Sequence, residues 1–319
     1  MRFFKLALSL ALLTGAVATI HAQQRFVKIG AGVTGTYALF GAKLAEVINS
    51  TYPDLRASAI SGPTEQNMVR VQRGELDFVL SYTFQSALTH SGKGELGVAT
   101  PDLRQVMSTY GSFYFPLARP GLGIATPADL VKRPFRVWMG PKSGAFYAIN
   151  TAYLASYGVT PDAIAKAGGV ISTIGYQNLE QAFRDGQVDF AFFAGPVPYS
   201  MLMQLDRAGF EMIGMSDEAA AKFVSLLPGM SVETHPAGVY TSVPKALRVP
   251  YLFNQVSTNA KVPDEIVYRV VKTTIEQNKV FHPLFPGATE IGLENALRSN
   301  LLPMHPGAER YFREVGLIK

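Results

Sequence analysis

Five successive elements of this chain occur twice, and that narrows the possible folds more than anything else in it. FVKIG (Phe26 to Gly30) leads into a glycine-rich loop and a stretch whose Phe40, Leu44, Val47 and Ile48 fall on one helical face. FRVWMG (Phe135 to Gly140) leads into the loop PKSG and a helical pattern from Ala145 through Tyr157. RASAISG (Arg56 to Gly62) and VISTIGY (Val170 to Tyr176) then alternate like strands. NMVRVQRGELDFVLSY is matched by NLEQAFRDGQVDFAFFAG: in each, apolar residues three apart (Met68 and Val71; Leu179 and Ala182) mark a helix. A glycine stops it (Gly74; Gly186) and a strand follows from Asp77 or Asp189. The matched residues lie roughly 110 positions apart. Strands alternating with helices define an α/β class, and the repeat predicts two βαβαβ lobes.

The aromatic stretch MSTYGSFYFPLA reads as a strand crossing between lobes, and Thr126-Pro127-Ala128-Asp129 as a helix start with Thr capping and Pro at the first position. The last third does not repeat. It shows a returning strand within PAGVYTSVPKALRVPYLFNQVS, a helix over Pro263 to Val280 with Ile266, Val270 and Ile275 on its apolar side, and shorter helices at Leu293 to Arg298 and Gly307 to Val315. A chain that leaves lobe 1 and returns to it implies a hinge of two strands. The expected division is 1–22 as leader, 23–118 plus 242–319 as lobe 1, and 119–241 as lobe 2.

Arg2 and Lys5 precede an apolar run from Leu6 to Val17, and small residues follow up to Ala22, the order of a secretory signal peptide cleaved near Ala22. The run is short for a membrane span, so export is expected. Losing the two leader cations takes the formal charge from +5 to about +3. With no Lys/Arg-rich run, nothing points to a nucleic-acid partner. The absence of cysteine excludes disulfides, thiolate metal sites and a Cys nucleophile.

Gly30, Gly32 and Gly35 spell G-x-G-x-x-G between a strand and a helix, the dinucleotide-binding pattern. That site needs an acidic residue at the end of the second strand, where Ile60, Ser61 and Gly62 stand; the nearest carboxylate, Glu65, lies beyond a proline. The pattern therefore lacks its confirming context, and no cofactor is expected. What survives is physical: the loops GAGVTGT and GPKSG each open a helix, so each lobe offers free N–H groups and a positive helix end to a small anion. Gly32, Thr34, Gly35, Thr36 and Tyr37 in the first loop, and Lys142, Ser143, Gly144 and Ala145 in the second, are the candidate ligand contacts, with Tyr147 as a further hydroxyl. Tyr82 and Tyr199, just past strand ends, are candidate pocket residues, whereas Phe192 and Phe193 read as core. His90, His235, His282 and His305 have no metal-site spacing, and Lys142-Ser143-Gly144 matches neither G-x-S-x-G nor S-x-x-K. No catalytic residue and no metal site is expected.

GAGVTGTYALFG, GELDFVLSY, GPKSGAF, DGQVDFAFFAGPVP, PAGVY and LLPMHPGAERYFREVGL together resemble the TAXI family, the solute-binding subunits of tripartite ATP-independent periplasmic (TRAP) transporters, across essentially the whole mature chain. The resemblance implies a two-lobed, type II-like periplasmic binding protein, not an enzyme. Such a protein closes around a small organic acid, an acidic amino acid or related carboxylate, and hands it to an ion-gradient-driven membrane permease. By position it places ligand loops at Thr34, Thr36, Tyr37, Ser61, Ser143, Gly144 and the turn from Gly195 through Pro196 to Pro198, with Tyr240 facing them. Two loops depart from the family pattern: SGPTEQ stands for an SGGS-like loop, and KSGAF for a GSGT-like turn, so ligand identity does not transfer. Lys142 would then pair with a second carboxylate. The alternatives are an ABC-type substrate-binding protein with the same closing lobes, and an exported enzyme using Ser143.

Overall fold

The first half of the molecule runs β1 (Arg25–Ala31), α1 (Gly35–Thr51), β2 (Leu55–Ser61), α2 (Thr64–Gln72), β3 (Phe78–Tyr82) and α3 (Thr83–His90). The apolar spacing noted above governs it: Phe40, Leu44, Val47 and Ile48 of α1 are buried against Val27 and Ile29 of β1 and Phe78 of β3. A long strand, β4 (Leu103–Ala118), carries the chain to the second half. There β5 (Arg136–Trp138), α4 (Ala145–Ser156), α5 (Pro161–Lys166), β6 (Val170–Ser172), α6 (Leu179–Arg184), β7 (Phe190–Gly195) and α7 (Ser200–Leu205) repeat the theme. After β8 (Glu211–Met212), α8 (Asp217–Leu226) and β9 (Ser231–His235), the strand β10 (Leu247–Asn259) returns to the first half, which α9 (Asp264–Glu276) and α10 (Pro306–Glu314) complete. This computed structural model describes residues 24–33, 35–142, 145–227 and 229–319. The expected leader lies outside them, as do Thr34, Ser143 and Gly144.

All ten strands of the described residues join one sheet in the order β2-β1-β3-β10-β4-β7-β5-β6, with β8 beside β4 and β9 beside β10. The order is the same from either end: β2-β1-β3 parallel, then β10 antiparallel; β6-β5-β7 parallel, then β4 antiparallel. The two crossing strands pair with each other at the centre. The repeat extends to single hydrogen bonds. Asp77 N–H donates to Lys28 O at 2.9 Å and Lys28 N–H returns to the Asp77 carboxylate at 2.8 Å; Asp189 N–H donates to Arg136 O at 2.7 Å and Arg136 N–H returns to the Asp189 carboxylate at 2.9 Å. In both copies the aspartate locks the third strand to the first, after a glycine (Gly74, φ 73°; Gly186, φ 71°) whose left-handed turn a side chain would strain.

Each half has its own core. Val27, Ile29, Phe40, Phe78, Val267 and Phe312 belong to one, and Trp138, Tyr153, Phe190, Phe192, Phe193 and Phe223 to the other. Pro127–Val131 is a 3-10 helix that starts, as expected, after Thr126 with Pro127 first, and the Asp129 carboxylate accepts the Thr126 N–H at 2.9 Å. The helix expected at Leu293 to Arg298 is a run of turns: Ala296 is buried and Leu297 packs beside it, but Leu293 is exposed and Ser299 has φ 53°, so the apolar stripe is too short to stabilise a helix of this length. The helix expected to reach Val280 ends at Glu276 and passes into a 3-10 turn over Asn278–Val280.

Candidate functional site

The two halves face each other across a cleft of about 800 Å³, at the carboxyl ends of β3 and β7, where ligands of open α/β sheets lie. The first half contributes Gly35, Thr36, Tyr37, Leu39 and Tyr82; the second contributes Tyr176, Gln177, Ala194, Gly195, Pro196, Pro198, Tyr199, Ser200 and Met201. Ser112 comes from β4, and Leu284, Phe285 and Pro286 come from the C-terminal segment. Two smaller grooves, about 320 and 240 Å³, lie beside the Asp189 and Asp77 latches.

Local geometry explains the glycine motif without a nucleotide. A Cβ on Gly30 would lie 2.9 Å from Asn67 Cβ and Leu76 Cδ1, so this glycine lets β1 pack against α2 and the connection that leads into β3. Gly35 starts α1 at φ 73°, a conformation that favours glycine. Glu65 is buried and accepts the N–H groups of Glu95 and Leu96 at 2.8 and 2.9 Å, so it braces a loop.

The floor of the cleft is organised by Asn254 in the middle of β10, buried at 2% exposure. Its amide donates to Tyr110 O at 2.9 Å and to Ser112 Oγ at 3.0 Å, and its carbonyl oxygen accepts the Tyr37 hydroxyl at 2.7 Å. The Tyr110 carbonyl is available because the β4–β10 register slips there, from Phe253 opposite Gly111 to Gln255 opposite Ser108, which leaves a bulge. The Gly111 N–H then donates to the Glu290 carboxylate at 2.9 Å, which also accepts the Tyr251 hydroxyl at 3.0 Å. The Tyr110 hydroxyl donates to Thr36 Oγ1 at 2.8 Å.

These bonds orient what remains. Thr36 and Ser112 accept, so their own hydroxyl hydrogens, and that of Tyr82, have no acceptor among the described residues. Burial pushes the hydroxyl pKa of Tyr37, Tyr82 and Tyr176 well up, and that of Tyr199 up as well, so all four are neutral O–H groups at pH 7. On the opposite wall the Tyr176 hydroxyl accepts Ala194 N–H at 3.1 Å and lies 3.4 Å from the Tyr199 hydroxyl. Among the described lining residues none is Asp, Glu, Lys, Arg or His, and no cluster of three or more His, Asp or Glu is arranged for a metal ion among the described residues.

The structure brings Gly35, Thr36, Tyr37, Tyr82, Pro196, Pro198 and Tyr199 together in the cleft. It places others elsewhere. Tyr240 does not face the cleft: it is fully buried and its hydroxyl accepts the Tyr199 N–H at 2.8 Å, so it braces a wall residue from behind. Ser61 lies on the outer strand and donates to Gly32 O at 3.2 Å, tying two loop ends together. Neither Gly32 nor Ala145 lines the cleft, and Lys142 is exposed outside it. Thr34, Ser143 and Gly144 fall outside the described residues. Sequence reasoning missed Ser112, Tyr176, Asn254 and the Leu284–Pro286 segment. For Asn254 a signal existed, since a polar residue inside an apolar central strand must be hydrogen-bonded.

Two α/β halves on one shared sheet, crossed by two strands and parted by a ligand-sized cleft, define the architecture of two-lobed periplasmic solute-binding proteins. The chain belongs to the NMT1-like family, whose model matches residues 29–316. In fold it is similar to XAC2383 from Xanthomonas citri bound to ATP, at 11% identity and TM-score 0.53, over 92% of this chain and 96% of that one. It is also similar to the alkanesulfonate-binding protein SsuA from Xanthomonas axonopodis pv. citri bound to MOPS, at 15% and 0.52, over 91% and 84%. The periplasmic aliphatic sulphonate binding protein SsuA from Escherichia coli matches at 15% and 0.53, over 91% and 78%. At these identities the likeness bears on the fold, and it agrees with the two-lobed α/β expectation.

Proposed function

We propose that this protein is a periplasmic solute receptor that binds a small organic carboxylate between its halves and passes it, unchanged, to a membrane transporter. The observation that carries this reading is the oriented donor set on the cleft floor, where Thr36, Ser112 and Tyr82 keep hydroxyl hydrogens without acceptors among the described residues. It lies beside the start of the 17-residue helix α1, whose positive end favours an anion. Residues 23–118 with 242–319, and 119–241, are the units that close, hinged on β4 and β10. Thr34, Ser143, Gly144 and Ala145 are further proposed ligand contacts, on the sequence pattern alone. Residues 1–22 act as the export signal.

Two transporter classes follow from different observations. Neighbours of this fold include a putative sulfonate ABC transporter's periplasmic SsuA from Methylobacillus flagellatus, which favours an ABC importer as partner. The motif resemblance to the TAXI family favours a TRAP permease. Proteoliposomes holding the cognate membrane subunits decide: uptake that needs internal ATP supports the first, and uptake driven by an ion gradient supports the second.

The receptor reading is tested by native mass spectrometry of the mature protein, followed by denaturation to release any bound molecule. An intact carboxylate that raises the melting temperature when added back is expected. Release of a nucleotide, or conversion of an added ligand to product, refutes the reading.

A further inference from the structure

Resting on the receptor reading above, we infer that the cleft selects a monoanion with a flat aromatic body and discriminates against acidic amino acids and dicarboxylates. Three cleft tyrosines each have an aromatic ring stacked behind them: Tyr82 on Phe84 (5.8 Å, 17°), Tyr176 on Phe146 (5.1 Å, 21°) and Tyr199 on Phe115 (6.3 Å, 11°). Tyr37 also packs on Tyr82, and Trp138 and Phe193 on Tyr176, so the rings are held rigidly; all three line the cleft, from both halves, and offer it aromatic surface. Phe285, Leu39 and Met201 extend the apolar wall. A volume near 800 Å³ suits a ligand larger than a two- or three-carbon acid.

The charge pattern narrows the class further. The oriented hydroxyls and the α1 start can hold one oxyanion. A second carboxylate, or an ammonium group, would be buried against walls that offer no opposite charge among the described lining residues, and an unpaired buried charge is strongly unfavourable. Lys142, the nearest candidate for a second carboxylate by sequence, is exposed and outside the cleft. A planar arene carboxylate meets every surface: its oxygens take the donors, and its ring takes the tyrosine faces.

The test is calorimetric titration of the mature protein with benzoate, benzenesulfonate, succinate and glutamate at constant ionic strength. Benzoate should bind at least tenfold more tightly than succinate or glutamate, with benzenesulfonate as a second aromatic monoanion ahead of both. Tyr199→Leu should weaken benzoate about three- to tenfold through the lost ring contact, while Lys142→Ala should leave it within twofold. Melting curves of each variant establish that the fold is retained. Tighter binding of succinate or glutamate, no binding of either aromatic anion, a tenfold loss in Lys142→Ala, or no loss in a folded Tyr199→Leu overturns the inference. Should the protein prove to carry a non-aromatic carboxylate, this inference fails and the receptor reading stands. Should it release no small molecule and respond to none of the four, both fail.

Discussion

Asn254→Leu separates the hydrogen-bonding role of the cleft floor from its volume. Leucine has the same branched skeleton as asparagine but is bulkier, so no cavity opens and, beyond a modest overpacking cost, the change falls on three bonds: to Tyr110 O, Ser112 Oγ and the Tyr37 hydroxyl. Ser112 can rotate to another partner. The Tyr110 carbonyl on the bulge and the Tyr37 hydroxyl lose theirs in a buried setting, at about 1–3 kcal/mol each. The expected loss is about 2–6 kcal/mol in a urea titration at 25 °C, or roughly 4–12 °C in melting temperature at about 2 °C per kcal/mol for a chain of this size. Freed from Asn254, the Ser112 hydroxyl no longer points into the cleft by default, and anion affinity should fall about tenfold. Asn254→Asp keeps the shape but sets a carboxylate against the Tyr110 carbonyl and beneath the anion, so it should cost more affinity than leucine does. A leucine variant within about 0.5 kcal/mol of the parent, with unchanged anion affinity, would refute the reasoning.

Gly30→Ala should destabilise by about 1–3 kcal/mol through overpacking against Asn67 and Leu76, and equilibrium dialysis should detect no NAD binding in either form. Burial pushes the Asp189 carboxyl up, but hydrogen bonds from the Arg136 side chain and backbone outweigh it and hold the group below its ordinary value. The stability it supplies is therefore present above about pH 4 and lost as the pH falls below that. Asp189→Ala should cost about 2 kcal/mol at pH 7 in chemical denaturation and flatten the acid limb. Burial lowers the pKa of His235, which sits among Phe113, Phe115 and Tyr240 with both ring nitrogens unpartnered among the described residues. The unfolded chain then binds the extra proton, so stability drops as pH falls below about 6.5. His235→Phe, which suits an aromatic cage, should raise the melting temperature at pH 5.5 relative to the parent more than at pH 8.

The fold was legible because it rests on local periods. Phe40, Leu44, Val47 and Ile48 announce a helix face by spacing, and the two GELDF/GQVDF segments announce equivalent strands whose aspartates make the same bonds. Part of the cleft was legible for the same reason: Thr36, Tyr37, Tyr82 and Tyr199 stand where loops leave strand ends. The rest comes from pairings distant in sequence. Tyr37 meets Asn254 across 217 positions, and no spacing within a window records that contact. Tyr240 shows the converse, since a tyrosine near the right loop says nothing about which side of the wall its ring takes. The floor also depends on a register slip between β4 and β10, which hydrophobic alternation does not encode.

The position of β10 between β3 and β4 has a consequence for the order of folding. The second half needs only β4 and the contiguous chain that follows it to complete β4-β7-β5-β6, so its contacts are comparatively short in sequence. The first half cannot complete its sheet until residues 247–259 arrive, nor its core until Val267, Val270 and Phe312 pack beneath α1. Its closure spans more than two hundred residues, and long loops close slowly. The amino-terminal strands, first to be made, therefore wait unpaired on one edge while the middle of the chain folds, and the last helix, α10, seals the half that began the molecule.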